Sequence, residues 1–337
     1  MFMEKMFMSR LLCIALMMFT LPVLATENHY GPRLEGFEYP FTVDYFQFDS
    51  QGQSLEMAFL DIQPETPNGQ TMVLLHGKNF CAATWEGTIQ FLTENGYRVI
   101  APDQVGFCKS SKPEHYQFSF HQLSANTSAL LDHLAVERYS VMGHSMGGML
   151  ATRHALLNPD KVQQLVMVNP IGLEDWLAKG VPYREIDGWF QNALKTNAES
   201  IRNYQKNTYY AGTWQPEYDQ WVEMQAGMFR GPGKEIVAWN SALTYDMILT
   251  QPVVYEFKNL QVPTLLLIGE QDNTAVGKNL APKDKQSELG NYPKISQQVA
   301  DQIPDATLIT FKELGHSPQI QTPDKFHQTL LENLRRY

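Results

Sequence analysis

The sequence has no surplus of basic residues and no run of like charges. Its 36 acidic and 26 basic residues give a formal net charge of −10. Nucleic acids and anionic membrane surfaces both attract proteins through a basic face. The charge therefore argues against either of them as a partner, and it is typical of a solvated acidic surface.

Histidines and carboxylates at metal-ligand spacing are also missing, as are internal repeats and low-complexity tracts. Metal-binding motifs depend on such spacing. We therefore expect no metal ion and no cofactor. Apolar residues make up 43% of the chain, as in an ordinary globular protein.

No apolar run is long enough for a comfortable membrane span, which takes about 20 residues. The run at residues 11–24 follows Lys5 and Arg10, and Val23 and Ala25 occupy the −3 and −1 positions of a signal-peptidase site. This pattern predicts a signal peptide over residues 1–25 and an exported protein, periplasmic or secreted, with no stable membrane span after cleavage. A retained anchor is the alternative.

Short apolar runs alternate with helical periods from residue 71 onwards, which predicts parallel strands with crossover helices. An antiparallel pair, joined by a turn at residues 50–52, is predicted before them. The predicted strands are residues 41–48, 54–62, 72–75, 97–101, 139–142, 165–168, 265–268 and 306–311. Helices are predicted over residues 85–94, 120–134, 146–157 and 325–335, the last with Thr322 as its N-cap.

Residues 173–261 break this alternation. They contain no evident buried strand and are rich in tryptophan and tyrosine. We interpret them as a mostly helical cap inserted into a core formed by residues 26–172 and 262–337. A second irregular stretch, residues 277–292, is polar and is predicted to be a loop.

The strongest motif is Gly143-His144-Ser145-Met146-Gly147, which lies between a predicted strand and a predicted helix. In that context the pattern indicates a nucleophile elbow. A serine on such a sharp turn has strained backbone angles, and the two glycines let neighbouring chains approach. The amides at the start of the helix favour developing negative charge. Ser145 is therefore the predicted nucleophile.

A serine nucleophile needs a general base, and the base needs a carboxylate to orient it. His316 lies on a loop between the last predicted strand and the last predicted helix, so it is the candidate base. Asp272 follows the strand at residues 265–268 and is the best candidate for the acid. Glu270, which is nearer to that strand, is its rival.

The remaining requirement is an oxyanion hole, a pair of hydrogen-bond donors for the negatively charged oxygen of the tetrahedral intermediate. The segment Leu-Leu-His-Gly-Lys-Asn-Phe at residues 74–80 follows a strand, and one of its backbone amides should act together with the amide of Met146.

The pieces HGKNF, GHSMGG, GEQD and GHSPQIQTPDKF resemble the α/β-hydrolase superfamily in its cap-bearing serine hydrolase branch. The likeness runs from about residue 71 to the C-terminus, the cap excepted, and the order serine, aspartate, histidine agrees with it. The resemblance implies an α/β fold: a mostly parallel eight-stranded sheet with helices on both faces and a helical cap. It also implies that Lys78 donates the loop amide, with Asn79 as the alternative.

The resemblance further implies hydrolysis through an acyl-enzyme. The expected substrate is a small molecule, most simply a small or medium apolar carboxylic ester. Cleavage of a carbon–carbon bond in a carbonyl substrate by the same side chains is the alternative, and a non-catalytic binding module is a second one.

Cysteine is scarce: the chain has three, and loss of residues 1–25 removes Cys13. Cys81 and Cys108 each follow a strand, and in this fold those two strands should be neighbours. Because export supplies an oxidising compartment, a disulfide between them is one prediction, and two buried free cysteines are the alternative, since both loops run several residues past their strands. Cys108 stands where relatives commonly carry glycine.

Overall fold

The computed structural model describes residues 27–334. The signal peptide predicted over residues 1–25, with its alternative of a retained anchor, lies outside them. Within the described residues no helix is both long enough and apolar enough to cross a bilayer.

Eight strands form one sheet in the order β1-β2-β4-β3-β5-β6-β7-β8. Strand β2 pairs antiparallel with both β1 and β4, and the other pairs are parallel. This confirms the predicted α/β fold with a mostly parallel eight-stranded sheet. The strands are β1 Asp44–Ser50, β2 Gln53–Ile62, β3 Thr71–Leu75, β4 Arg98–Pro102, β5 Tyr139–His144, β6 Val162–Val168, β7 Thr264–Gly269 and β8 Ala306–Phe311.

Burial explains why the apolar runs become central strands. All six residues of β5 and all six of β7 are buried, as expected for parallel strands covered on both faces. The edge strand β1 instead alternates between exposed and half-buried residues. Gln51 and Gly52 have φ of 53° and 72°, the left-handed backbone that a two-residue hairpin between twisted strands requires.

Helices cover both faces of the sheet, and successive residues of a strand point to opposite sides. Met72 and Leu74 of β3 pack in one core, against helices α1 and α11. Val73 and Leu75 pack in the other core, against α2, α3 and α9. The helices are α1 Glu86–Glu94, α2 Phe120–His133, α3 Met146–Leu157, α4 Ile186–Ala193, α5 Ala198–Tyr204, α6 Asp219–Arg230, α7 Lys234–Thr250, α8 Lys283–Gln286, α9 Tyr292–Ala300, α10 Pro318–Gln321 and α11 Pro323–Asn333.

The chain between β6 and β7 contains α4 to α7 and a π-helical turn, Gln205–Tyr209, but no strand. These helices fall within residues 173–261, and we refer to that range as the insertion. It is held together partly by aromatic contacts, such as the stacking of Trp189 on Tyr245 at 4.9 Å between ring centroids.

One local prediction was wrong, and a second was confirmed in its position but not in its capping bond. Residues 277–292 are not a continuous loop, because they contain helical turns and α9 begins at Tyr292. The Asn291 side chain accepts a hydrogen bond from the amide of Lys294 and so caps α9. Thr322 does occupy the N-cap position of α11, but its side chain makes no capping bond, and its hydroxyl is buried without a partner.

Candidate active site

Ser145 lies on the turn between β5 and α3, with φ of 58° and ψ of −121°. This conformation is rare for a residue other than glycine and is strained. The packing around it requires the flanking glycines. A Cβ on Gly143 would lie 2.0 Å from the carbonyl oxygen of Gly147, and one on Gly147 would lie 2.1 Å from the carbonyl oxygen of Leu75.

Backbone hydrogen bonds hold this turn in place. The Ser145 amide donates to the carbonyl of Val168, at the end of β6, over 3.1 Å. The Ser145 carbonyl accepts from the amides of Gly148 at 2.9 Å and Ile171 at 3.2 Å. Because the backbone N–H and C=O of Ser145 are both hydrogen-bonded, the surrounding structure determines the strained angles and fixes the side chain at the carboxyl edge of the sheet.

Asp272 and His316 form a buried pair at the same edge. Nδ1 of His316 lies 2.5 Å from Oδ2 of Asp272, and both side chains are fully buried. A carboxylate only accepts, so Nδ1 carries the proton and Nε2 is left free to accept one. Asp272 leaves β7 and His316 follows β8. These neighbouring parallel strands bring together residues 44 positions apart.

Two residues that sequence reasoning did not assign to the site fix Asp272. Its Oδ2 also accepts from the side-chain amide of Asn169 at 2.9 Å. Its Oδ1 accepts from both the amide and the hydroxyl of Thr274, at 2.8 and 2.6 Å. The rival acid, Glu270, is only half-buried and pairs its amide with the carbonyl of Phe311. Asp272, not Glu270, contacts the histidine.

The insertion positions the loop that carries His316. The amides of His316 and Ser317 donate to the carbonyls of Thr208 and Tyr209, each over 3.2 Å. The Tyr209 ring lies 4.9 Å from the His316 ring. Both acceptors belong to the π-helical turn, a distortion that is frequent at functional sites.

His144, the residue before the serine, has a positioning role that the motif did not indicate. Its Nε2 donates to the His316 carbonyl at 2.8 Å, and the two rings are 4.9 Å apart. Burial, together with the neighbouring histidines, lowers the pKa of His144 well below its usual value. A neutral His144 adds no charge next to His316.

The Ser145 hydroxyl and His316 are not joined by a hydrogen bond in this structure. Nε2 of His316 is buried without a partner, and Ser145 is 4% exposed. Such contacts are often long in free enzymes and tighten when substrate binds. The serine and the oxyanion loop are nevertheless close: a Cβ on Gly77 would lie 3.1 Å from Cβ of Ser145 and 3.0 Å from the ring of His144.

The loop after β3 and the start of α3 present backbone amides near the serine. Among residues 27–334, no protein group accepts a hydrogen bond from the amides of Lys78, Asn79 or Met146. His76 supports the loop, as expected: its Nδ1 donates to the Gly77 carbonyl at 2.8 Å, and its Nε2 accepts from Gln104 at 3.0 Å. The geometry leaves the choice between Lys78 and Asn79 open.

A disulfide ties this loop to the loop after β4. It joins Cys81 and Cys108, whose Cα atoms are 6.0 Å apart. Cys108 has φ of 41°, a left-handed backbone that costs most residues about 1–2 kcal/mol but glycine almost nothing. The backbone at Cys108 is therefore one that glycine would adopt without this cost.

A mostly parallel eight-stranded sheet, a serine on the turn between strand and helix, and an aspartate and a histidine after later strands define an α/β hydrolase. The chain belongs to the alpha/beta hydrolase fold family, whose model matches residues 70–323. The protein is therefore a hydrolase of this fold.

Three similar proteins illustrate the relationship. A probable hydrolytic enzyme from Pseudomonas aeruginosa PAO1, described by a crystal structure, has 64% sequence identity to this chain. The match covers 92% of this chain and 99% of that chain, with a TM-score of 0.91. "Putative carbamate hydrolase RutD" from Stutzerimonas stutzeri is 27% identical over 80% of this chain and 92% of its own. "Pimeloyl-[acyl-carrier protein] methyl ester esterase" from Nitrosomonas europaea is 24% identical over 80% of this chain and 97% of its own length.

Proposed function

We propose that this protein is a serine hydrolase that cleaves carboxylic esters through an acyl-enzyme. Ser145 is the nucleophile, His316 the general base and Asp272 the acid that orients it. The observation that carries the proposal is the fully buried Asp272–His316 contact of 2.5 Å at the sheet edge where Ser145 adopts its strained turn.

The reaction follows from these positions. The Ser145 oxygen attacks the ester carbonyl while Nε2 of His316 takes its proton, and Asp272 stabilises the resulting imidazolium. The amide of Met146 and the amide of Lys78 or Asn79 donate to the tetrahedral oxyanion, with the start of α3 adding a favourable dipole. Collapse expels the alcohol, which receives the proton from His316. Water then repeats the sequence and releases the acid and the free serine.

An ester of small or medium apolar groups fits the surroundings. The insertion contributes buried aromatic rings next to His316. The Tyr209 ring lies 4.9 Å from the His316 ring, and the Tyr210 ring packs against Tyr209. Such rings favour apolar acyl or alcohol groups. Two of the similar proteins are named for acyl cleavage, one for a methyl ester and one for a carbamate, which supports attack on an acyl carbonyl.

Hydrolysis of p-nitrophenyl esters of increasing acyl length tests the proposal. The protein without residues 1–25 should cleave the short and medium esters, and Ser145→Ala should lower kcat by about 10⁴-fold or more with the fold retained. Ser287→Ala, a change at an exposed serine away from the site, is the matched control and should leave kcat unchanged. Turnover by the Ser145 variant close to that of wild type would refute the assignment.

We also propose that the protein is exported to the periplasm or secreted and works where disulfides persist. The predicted signal peptide and the Cys81–Cys108 pair support this. The protein recovered from its native compartment should begin at Thr26 and show no free thiol in denaturant until reductant is added, and two thiols thereafter. An intact N-terminus with three free thiols, Cys13 included, would contradict export and disulfide together.

A further inference from the structure

A cavity lies between the oxyanion loop and the insertion, bounded on one side by Lys78, Asn79 and Phe80. Helices α6 and α7 form much of the opposite side. Its apolar wall consists of Phe80, Phe107, Met224, Met228, Phe229 and Val237. Because Gly77, the residue before Lys78, packs against Ser145, this cavity borders the loop that faces the reacting carbonyl.

Two lysines line this mostly apolar cavity together with the uncharged polar residues Asn79, Gln225 and Ser241, and no carboxylate among residues 27–334 lines it. Nζ of Lys78 donates to the Ser241 hydroxyl at 2.8 Å and lies 3.8 Å from the centroid of the Tyr245 ring. Nζ of Lys112 donates to the carbonyl of Cys108 at 2.6 Å. Within the described chain neither ammonium group takes part in a salt bridge.

An unpaired ammonium group in an apolar surrounding is costly. Burial lowers the pKa of Lys78 to about 7, and it lowers that of Lys112 to about 7 although the Asp103 carboxylate acts in the opposite direction. An anion bound in the cavity would supply the missing countercharge. The positive cavity is unusual in a chain whose net charge is −10.

We propose that the cavity binds a carboxylate carried on an apolar part of the substrate, with Lys78 and Lys112 as its cationic partners. This inference rests on the proposed function and narrows it. The substrate is then an ester with a free carboxylate at the far end of its acyl chain. The aromatic and methionine side chains contact the methylene groups, and the two lysines select for the charge.

A pair of esters of similar length, mono-4-nitrophenyl glutarate and 4-nitrophenyl pentanoate, tests the inference. For wild type, kcat/KM should be at least about tenfold higher with the glutarate than with the pentanoate. This factor corresponds to the contribution of one charge-assisted hydrogen bond. Lys112→Met and Lys112→Gln should each lower the ratio of the two kcat/KM values about tenfold, and Lys112→Arg should largely keep it. Lys109→Met removes a nearby lysine that does not line the cavity, so it should not change the ratio.

Equal kcat/KM for the two esters in wild type, or an unchanged ratio in the folded Lys112 variants, would overturn the inference while the ester hydrolase stands. If neither ester is cleaved, the proposed function fails, and binding decides the inference separately. In that case, calorimetry measures how tightly the Ser145→Ala variant binds hexanoate and how tightly it binds hexanol. Tighter binding of hexanoate that weakens about tenfold with Lys112→Met supports the inference, and equal binding of the two probes overturns it.

Discussion

Asp272 illustrates how single residues are fixed at this site. Its two carboxylate oxygens accept from four donors: the Asn169 amide, the Thr274 amide, the Thr274 hydroxyl and the His316 ring. Hydrogen bonds to an ionised group are stronger than neutral ones, and a side chain with so many of them has one accessible rotamer. The His316 ring therefore meets an acceptor that is already oriented.

Asp272→Asn should reduce kcat on esters by about 10³–10⁴-fold, because an amide at this position favours the wrong tautomer of His316. Glu270→Gln is the matched control, and it should change kcat less than about twofold, since that half-buried side chain does not contact the ring. The measurement is kcat of both variants on one p-nitrophenyl ester. A mild effect at Asp272 with a severe one at Glu270 would transfer the acid to Glu270.

The sequence indicated the site residues that follow strands, but not the residues that position them through hydrogen bonds. Ser145, Asp272 and His316 could be predicted because each lies after a recognisable apolar run. Asn169 and Asp272 are 103 positions apart, and nothing in either segment shows that they meet. The same is true of the contact between Thr208 and the His316 loop, since the insertion carries no periodic signal for its docking.

Among the elements, β5, its turn and α3 pack closely through their backbones. The approach of α3 to β5 and β3 is possible only because Gly143 and Gly147 lack side chains. This packing aims the first amides of α3 at the site and sets the angles of Ser145, so the strain at the serine is a property of the whole unit.

Gly143→Ala should destabilise the protein by at least about 3 kcal/mol, because its Cβ would meet the backbone of Gly147, which cannot move as a flexible side chain can. Gly87→Ala in α1 is the control. Its Cβ would lie 3.6 Å from His327, an ordinary contact, and alanine is the better helix former. Urea unfolding should show a loss for the first variant and no loss for the second. Equal stabilities would contradict the packing argument.

Strands and core helices were predictable to within a few residues because buried parallel strands are short apolar runs and the helices between them are periodic. Helix α9 was missed because the polar segment before it resembles a loop and the helix buries few residues, including Ile295 and Val299. Helices of the insertion had no predictable bounds. Helix α7, for example, combines buried Met247, Ile248 and Leu249 in one continuous run, which hides its period.

The molecule as a whole buries a histidine on each face of its sheet. His154 lies 2.8 Å from the Ser124 hydroxyl and 2.6 Å from that of Tyr139. His327 lies 3.0 Å from the Thr88 hydroxyl. Burial lowers the pKa of each to about 4. Both cores therefore contain an imidazole that is neutral near pH 7.

The free energy of unfolding should fall as the pH drops from about 6.5 to about 4. Above this window both the folded and unfolded states are unprotonated at these sites, whereas within it the unfolded state binds protons that the folded state does not. The loss should be about 1–3 kcal/mol for each histidine. Urea unfolding at a series of pH values measures it. His327→Gln should flatten the profile and His115→Gln, at an exposed position, should not; a flat wild-type profile would contradict the account.

The chemistry proposed for this protein depends on one oxygen atom, that of the Ser145 side chain. Incubation of the protein with a fluorophosphonate, followed by intact-mass measurement and peptide mapping, tests it most directly, because the probe modifies only an activated serine. We expect a single adduct on Ser145, none in Ser145→Ala, and much slower labelling in His316→Ala. No adduct on the folded wild type, or an adduct on another serine, would contradict it.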